Sequence, residues 1–263
     1  MPAFTLGTWN ILATGYIRAA FYPDTPREFL DPQWRIPAIA QRLRELSLDI
    51  VCLQEVERAA YAAINDAMQP LGYSGSLEMK AGRRPDGCAT FVRAGCAVVS
   101  ERRLEYADAF ESGQNSGHIA QLLTLEIDGA RIALVNTHLK WDAPDTPRER
   151  QWGYRQIGQV LETLNAEPAP IAIICGDFNA TPESDVVSAL REAGFDYAHR
   201  GLRGVYTCNS NREAKLIDYI FFRGALRAEP LPVRPIEDRT PLPSPEEPSD
   251  HLPLLARFNP TPR

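Results

Sequence analysis

The sequence predicts one α/β domain that spans residues 1–263, and three observations support this prediction. Apolar runs typical of buried strands alternate irregularly with amphipathic helical segments along the whole chain. The sequence contains no linker between two compact halves, and no internal repeat with a period of about 20–50 residues. At 263 residues the chain can bury a large core as one unit.

The first elements follow from short apolar patterns. Runs at 4–9 and 48–55 indicate buried strands, and a loop rich in aromatic residues and proline is expected at 15–34. Residues 37–46 predict a helix, because Pro37 suits a first turn and later apolar residues share one face. Residues 58–68 predict a second helix.

The remaining elements are marked by turn signals. Asp128-Gly129, between apolar runs at 122–127 and 131–136, is the strongest hairpin signal in the chain. Further helices are expected at 147–164 and at 184–193, where Gly194 would end the second one. Strands are expected at 171–175, 216–222 and 251–258, and the proline-rich segment 230–248 is expected to be an exposed loop.

Composition narrows the class of partner. The net charge is −6 and the pI is near 5.4, whereas proteins that track duplex DNA usually carry a basic face. A small phosphorylated substrate is compatible with this charge, because one pocket can be basic in an acidic protein.

The five cysteines predict a reducing environment. Their number is odd, they form no CxxC pair, and several lie in apolar runs, so we expect buried free thiols. The amino terminus does not resemble a signal peptide, and no stretch approaches the ~20 apolar residues of a membrane span. We therefore expect a cytoplasmic protein without a membrane partner. The sequence indicates no particular oligomeric state.

Polar residues suited to metal and phosphate chemistry lie at the ends of apolar runs. Because strand ends gather at one rim of a sheet, we expect these side chains to lie together. They are Asn10, Glu55, His138, Asp177 with Asn179, Asp218, and Asp250 with His251.

Carboxylates gathered at one rim would repel each other by roughly 3–4 kcal/mol per pair, so they call for a raised pKa or a cation. Oxygen ligands from Glu55, Asp177 and Asp250 favour Mg²⁺, or Mn²⁺ as a substitute, over Zn²⁺. Asp218 would fix the tautomer of His251 and stabilise its charged form beside a phosphate.

Taken singly, each residue has an ordinary structural interpretation. Asp and Asn at strand ends commonly form turns, and a lone His138 would most often be a satisfied rim histidine. We interpret His118 and His199 as structural. The occurrence of all six polar runs in one chain favours the functional interpretation.

In this order, the runs resemble the endonuclease/exonuclease/phosphatase superfamily, also called DNase I-like. The resemblance extends from Thr8 to Leu255, and DGCATF and PSDHLPLL look most like the branch of carbon-catabolite-repressor-type deadenylases, nocturnin, Angel and 2′-phosphodiesterase proteins. It implies a four-layer α/β/β/α sandwich of two mostly antiparallel sheets flanked by helices. The matching runs are TWNIL, LQEVE, NTHLKW, GDFNATPES, IDYIFF and SDHLPLL.

The resemblance also implies roles near the metal. Glu55 would bind Mg²⁺, and Asn10 would contact the metal or the substrate nearby. Asp177 would orient or deprotonate the attacking water at the metal. Asp250 would bind or hydrogen-bond near the ion.

Further roles concern the phosphate. Asn179 would hydrogen-bond the phosphate or the water, and His138 and His251 would contact phosphate oxygens. Asp218 would pair with His251. The run NTHLK resembles nocturnin, which removes a phosphate from a dinucleotide cofactor, so Lys140 would be a cation beside the phosphate; the alternative is a solvated lysine.

Departures from the deadenylase pattern concern the substrate. Deadenylases of this branch clamp an adenine between a proline and a phenylalanine, but those positions are Ala143, beside Pro144, and Glu213 here. A carboxylate cannot supply the stacking that contributes roughly 1–3 kcal/mol per base. The leucine-rich-repeat domain of these deadenylases is also absent from the sequence.

The leading hypothesis is a Mg²⁺-dependent phosphoesterase that hydrolyses a phosphate ester of a nucleotide or an RNA 3′ end with an activated water. One alternative is an abasic-site or other DNA endonuclease, which the acidic charge disfavours. Another is a catalytically inactive nucleotide-binding module, which the complete set of polar residues disfavours.

Overall fold

The computed structural model describes residues 1–110 and 113–261, so the last two residues of the expected domain lie outside the described part. The elements in chain order are β1 (Phe4–Asn10), α1 (Pro32–Leu46), β2 (Ile50–Glu57), α2 (Arg58–Met68), β3 (Tyr73–Met79), β4 (Asp86–Arg93), β5 (Ala97–Glu105), β6 (Ile119–Ile127), β7 (Ala130–His138), α3 (Trp152–Ala166), β8 (Ile171–Asp177), α4 (Asp185–Glu192), β9 (Asp196–Tyr197), β10 (Cys208–Ser210), β11 (Glu213–Lys215), β12 (Asp218–Gly224), β13 (Leu226–Pro230) and β14 (Leu254–Pro260).

Two six-stranded sheets form the centre of the molecule. The first has the strand order β13-β14-β1-β2-β4-β3, and the second has the order β5-β6-β7-β8-β12-β9. Each sheet contains one parallel pair, β1 with β2 and β7 with β8, and all its other neighbouring strands run antiparallel. The predicted mostly antiparallel sheets are confirmed.

Helices cover the outer face of each sheet. Apolar residues of both sheets, such as Ile50 and Ile173, pack together in the central layer. Ile39 of α1 and Ile64 of α2 pack against the outer face of the first sheet, and Ile157 of α3 lies in the corresponding cluster on the second sheet, together with residues of α4. The predicted four-layer sandwich is therefore confirmed.

Two helices begin elsewhere than predicted. Helix α1 starts five residues earlier, at Pro32, because the Asp31 side chain accepts a hydrogen bond from the Gln33 amide (2.8 Å) and caps it. Pro37 consequently lies inside the helix. Helix α3 starts at Trp152, and the segment after Pro147 forms a short 3₁₀ turn instead.

The prediction that 230–248 is an exposed loop is wrong in part. Strand β13 ends at Pro230, and Ile236 and Leu242 are buried with Leu252 in a small apolar cluster. Glu247 is also buried, at 2% exposure. Apolar side chains spaced between the prolines anchor this segment to the sandwich.

Two other expectations can be compared directly with the structure. All five cysteines are free, and four of them are buried, as predicted. Among the described residues, no helix has both the length and the apolar character needed to cross a membrane.

Candidate active site

The predicted polar residues converge at one rim of the sandwich because of strand register. His138 and Asp177 are opposite each other at the ends of the parallel strands β7 and β8. Asp218 begins β12 and is opposite Asp177 on the other side. Asn10 ends β1 in the facing sheet, beside the part of β2 that carries Glu55. Asp177 therefore lies at the centre of the group.

Asn10 joins two of the three carboxylate candidates for metal binding, Glu55 and Asp177. Its amide nitrogen donates to Glu55 Oε1 (3.1 Å) and to Asp177 Oδ2 (2.9 Å). Its amide oxygen accepts from the Leu12 amide (2.9 Å), so it faces away from the carboxylates. In this arrangement Asn10 acts as a hydrogen-bond donor, and its role as a metal ligand stays a prediction.

Glu55 occupies a strained backbone position. Its φ is +58°, and the pairing of β2 with β4 shifts register between Leu53 and Val56. A non-glycine residue at positive φ in a β-bulge is typical of functional sites, where the bulge redirects a side chain. Here the side chain reaches the rim, and the Ala13 amide donates to its second oxygen (2.8 Å).

His251 contacts Asp177 from one side. Its Nδ1 lies 2.9 Å from Asp218 Oδ2, and its Nε2 lies 3.7 Å from Asp177 Oδ2. Burial alone would lower the pKa of His251, but the negative charge of Asp218, 2.9 Å away, outweighs burial and raises that pKa well above its usual value. This shift favours the charged form of His251, and the role of that imidazole beside a phosphate stays a prediction.

His138 contacts Asp177 from the other side and carries the opposite charge preference. Its Nε2 lies 3.6 Å from Asp177 Oδ2, and its Nδ1 lies 3.3 Å from the ammonium of the buried Lys80. Burial, together with the positive charge of Lys80, lowers the pKa of His138 well below its usual value. The pKa values of the two imidazoles around the same carboxylate are therefore shifted in opposite directions.

Asn179 completes the group beside His138. Its side-chain amide nitrogen lies 3.1 Å from His138 Nε2 and donates to the Leu139 carbonyl (3.0 Å). Its own backbone amide donates to Asp177 Oδ1 (2.8 Å). Asn179 therefore fixes the orientation of the Asp177 carboxylate.

The donor set fits a hard divalent cation. Burial raises the pKa of Asp177 to about 7 and raises the pKa of Glu55, where the charge of Asp250 adds to the increase. A bound cation would lower both pKa values again, because a nearby positive charge favours the ionised form of a carboxyl group. Glu55, Asp177 and Asp250 offer only oxygen atoms, the ligands that Mg²⁺ and Mn²⁺ prefer.

Lys140 lies outside the hydrogen-bonded group. Its ammonium lies over the ring of Trp152, 3.7 Å from the centroid. It lines a cavity of about 480 Å³ that adjoins Asn179 and also contains Ala143 and Glu213. The predicted contact of Lys140 with a phosphate stays a prediction.

Several residues that support the site carry no motif in the sequence and were not predicted. Lys80 forms an ion pair with Asp86 (2.7 Å), and the Tyr16 hydroxyl donates to the other oxygen of Asp86 (2.6 Å). Tyr22 donates to Asp250 Oδ2 (2.9 Å).

The sequence contains one indication that Lys80 has a special role, since it is one of only three lysines in an arginine-rich chain. His118, predicted to be structural, packs edge-on against His138.

Arg35 connects the two loops that carry site residues. It is fully buried, and its guanidinium donates to the carbonyls of Ile11 and Leu12 (2.7 Å for Leu12), next to Asn10. It also donates to the Pro248 carbonyl (2.7 Å), two residues before Asp250. These contacts hold the loop after β1 and the loop before β14 in fixed relative positions.

Replacing Arg35 with lysine is expected to lower the free energy of unfolding by about 3 kcal/mol. Lysine cannot reach three carbonyls at once, and each buried group left unpaired costs roughly 1–3 kcal/mol. Urea denaturation followed by circular dichroism measures the change. Arg44→Lys, on the exposed face of the same helix, is the control and should change stability by less than about 0.5 kcal/mol. Equal stabilities of the two variants would contradict this role of Arg35.

Comparison with known proteins agrees with the family resemblance found in the sequence. The profile of the family described as Endonuclease/Exonuclease/phosphatase family matches residues 7–251. Carbon catabolite repressor protein 4 homolog 4 of Arabidopsis thaliana is 27% identical over 97% of this chain and 77% of its own length. Angel homolog 2 of Homo sapiens is longer, and the chain spans 38% of it.

Solved structures agree with the fold. ANGEL2, described as a 2′,3′-cyclic phosphatase and solved with adenosine-2′,3′-vanadate, has a TM-score of 0.85 at 23% identity, over 98% of this chain and 95% of that one. The human nocturnin catalytic domain with bound sulfate has a TM-score of 0.77 at 26% identity, over 99% and 94%. The suspected branch of the superfamily is thereby confirmed.

Proposed function

The chain belongs to the endonuclease/exonuclease/phosphatase family and is therefore a phosphoesterase, and we propose that it uses a divalent metal ion to hydrolyse a phosphate ester of a nucleotide or an RNA 3′ end. The observation that carries the proposal is the environment of Asp177. One of its oxygens lies near the Asn10 amide nitrogen, the His138 imidazole and the His251 imidazole, at 2.9, 3.6 and 3.7 Å, and the pKa is lowered for His138 and raised for His251.

Each residue has a role in this proposal. Asp177, oriented by Asn10 and by the Asn179 backbone, positions the attacking water and accepts its proton. The imidazolium of His251, stabilised by Asp218, donates to phosphate oxygens as negative charge develops on them. The amide of Asn179 and the neutral His138 bind the phosphate from the opposite side.

Glu55, with Asp177 and Asp250, would hold Mg²⁺ or Mn²⁺. When bound, such an ion polarises the phosphoryl oxygens and increases the acidity of the water. Asn10 holds Glu55 and Asp177 beside each other, because both carboxylates accept from its amide nitrogen.

The cavity beside Asn179 supports a small substrate over a poly(A) tail. Ala143, Pro144 and Glu213 line it in place of the clamp that deadenylases use. ANGEL2 is described as a 2′,3′-cyclic phosphatase and nocturnin was solved with sulfate, so cyclic phosphate ends and nucleotide monoesters are the first substrates to test.

A substrate screen with and without metal tests the proposal. We expect the purified protein with Mg²⁺ to release phosphate or nucleotide from at least one of cyclic-phosphate RNA ends, NADP(H), mixed RNA and poly(A). EDTA should abolish the release, and added Mg²⁺ or Mn²⁺ should restore it. A folded, metal-supplied protein that is inert on all of these, or activity that EDTA leaves unchanged, would contradict the proposal.

Glu213→Phe is expected to increase activity on poly(A) relative to cyclic-phosphate ends. An aromatic ring at this position can stack on a base, which contributes roughly 1–3 kcal/mol, or about 5- to 150-fold in kcat/KM. Steady-state kinetics on the two substrates measure the ratio. Glu213→Gln, which removes the charge without adding a ring, is the matched control. The same ratio in both variants would show that stacking at position 213 does not select the substrate.

A further inference from the structure

Cys208 and His251 are opposite each other across a short antiparallel backbone contact at the rim of the site. Main-chain hydrogen bonds of 3.0 and 2.7 Å lie on either side of this pair. Directly opposed residues of this kind have Cβ atoms about 4.5–5.5 Å apart on one face. The backbone therefore holds the thiol and the imidazole side by side. The two bonds run from Asn209 N to Asp250 O and from Leu252 N to Thr207 O.

A third ligand group lies next to this pair. The Cys208 thiol, an Asp250 carboxylate oxygen and an imidazole nitrogen of His251 all lie within 4.8 Å of one another, and all three residues are buried. Ligands bound to one zinc ion at about 2.0–2.3 Å are up to roughly 4 Å apart. Small side-chain rotations are enough to place all three around one ion.

The ligand groups already have the supporting hydrogen bonds of a zinc site. Metal-binding histidines usually donate the second ring N–H to a carboxylate, which fixes the ring and its tautomer. Here Nδ1 of His251 is 2.9 Å from Asp218 Oδ2, which leaves Nε2 for a metal. The Tyr22 hydroxyl donates to Asp250 Oδ2 (2.9 Å) and orients that carboxylate.

The ligand chemistry differs from that of the proposed magnesium site, although Asp250 is a ligand in both. Glu55 and Asp177 offer only oxygen, whereas Cys208 adds a soft sulfur to an imidazole and a carboxylate. Sulfur and nitrogen ligands select Zn²⁺ over Mg²⁺. Cys208 lies on the wall of the cavity of about 480 Å³, which gives an ion a path from solvent.

We infer that Cys208, Asp250 and His251 form an inhibitory zinc-binding site. On binding, the Cys208 S–H bond breaks, its proton passes to solvent, and a sulfur–zinc bond forms. His251 loses its Nε2 proton to solvent and binds through the lone pair. An imidazole held in this way cannot donate to a phosphate, so zinc and turnover compete for His251.

Zinc affinity measured against a chromophoric chelator tests the site without any substrate. Wild-type protein and the control Cys96→Ser, whose half-buried thiol lies outside the cluster, should each bind one Zn²⁺. Cys208→Ser should bind it about 100-fold more weakly or worse. Co²⁺ gives a second readout, because its thiolate charge-transfer absorption should appear in wild type and Cys96→Ser only. Equal zinc affinity in wild type and Cys208→Ser, or no zinc binding by wild type, would overturn the inference.

The inhibition measurement rests on the proposed phosphoesterase function. At saturating Mg²⁺, Zn²⁺ should inhibit the wild-type protein. The Zn²⁺ concentration that halves the rate should be at least about 10-fold higher for Cys208→Ser, with each protein compared with its own rate without zinc. The same sensitivity in both would overturn the inference. If wild type showed no turnover on any substrate, the proposed function would fail, while the chelator measurement would still decide whether zinc binds at Cys208.

Discussion

Asp177→Asn is expected to lower turnover by at least ~100-fold, which is the usual contribution of a positioned general base. Asparagine has nearly the same shape, so it can keep the contact with the Asn179 amide. It cannot accept a proton from water, and it cannot offer a charged oxygen to a metal. The measurement is kcat and kcat/KM on the substrate found in the screen.

Asp66→Asn, on the exposed face of α2, is the matched control and should retain wild-type turnover. The circular dichroism spectrum of Asp177→Asn should match that of wild type, because the substitution removes a buried negative charge without changing volume. Near-normal turnover in a folded Asp177→Asn protein would mean that another group activates the water.

Asp218→Asn is expected to lower kcat by about 100-fold, with a smaller change in KM. The Asp218 carboxylate stabilises the imidazolium of His251 at 2.9 Å, and an uncharged amide cannot do so. An interaction that strengthens as charge develops on the phosphate affects kcat more than ground-state binding. Steady-state kinetics measure both parameters.

A double-mutant cycle with His251→Ala provides the decisive control. If Asp218 acts through His251, the double variant should be only slightly less active than His251→Ala alone, since coupled residues give non-additive losses. Asp196→Asn, a half-buried residue on the edge strand β9, should show no loss. Fully additive losses would indicate that Asp218 does not act through the imidazole.

Sequence patterns were sufficient for most of the site's residues because each lies at the end of an apolar strand. The runs that end at Asn10 and His138 predicted strands at the places where β1 and β7 lie. The Asp128-Gly129 turn fixed the hairpin between β6 and β7, with Gly129 at φ +75°. The start of α1 was predicted five residues late from Pro37, because the pattern of apolar residues did not include the turn that Asp31 caps and Pro32 begins.

Residues without a local pattern were found only in the folded chain. Lys80 is 58 residues from His138, and Arg35 is 213 residues from the carbonyl of Pro248 that it binds. No hydrophobic period marks a buried cation, because its position is favourable only when distant acceptors surround it. Lys140 is the opposite case, because it belongs to a recognisable sequence motif. The motif nevertheless did not predict that its ammonium packs over the ring of Trp152.

The sequence by itself determined the fold class, the family and the set of polar residues at the strand ends, because strand periodicity and short motifs are local properties of the chain. Tertiary structure alone decided that the pKa values of the two imidazoles shift in opposite directions. Those shifts depend on Lys80 at 3.3 Å from His138 and on Asp218 at 2.9 Å from His251. Such distances arise from the register of strands in two facing sheets, so the one-dimensional pattern does not contain them.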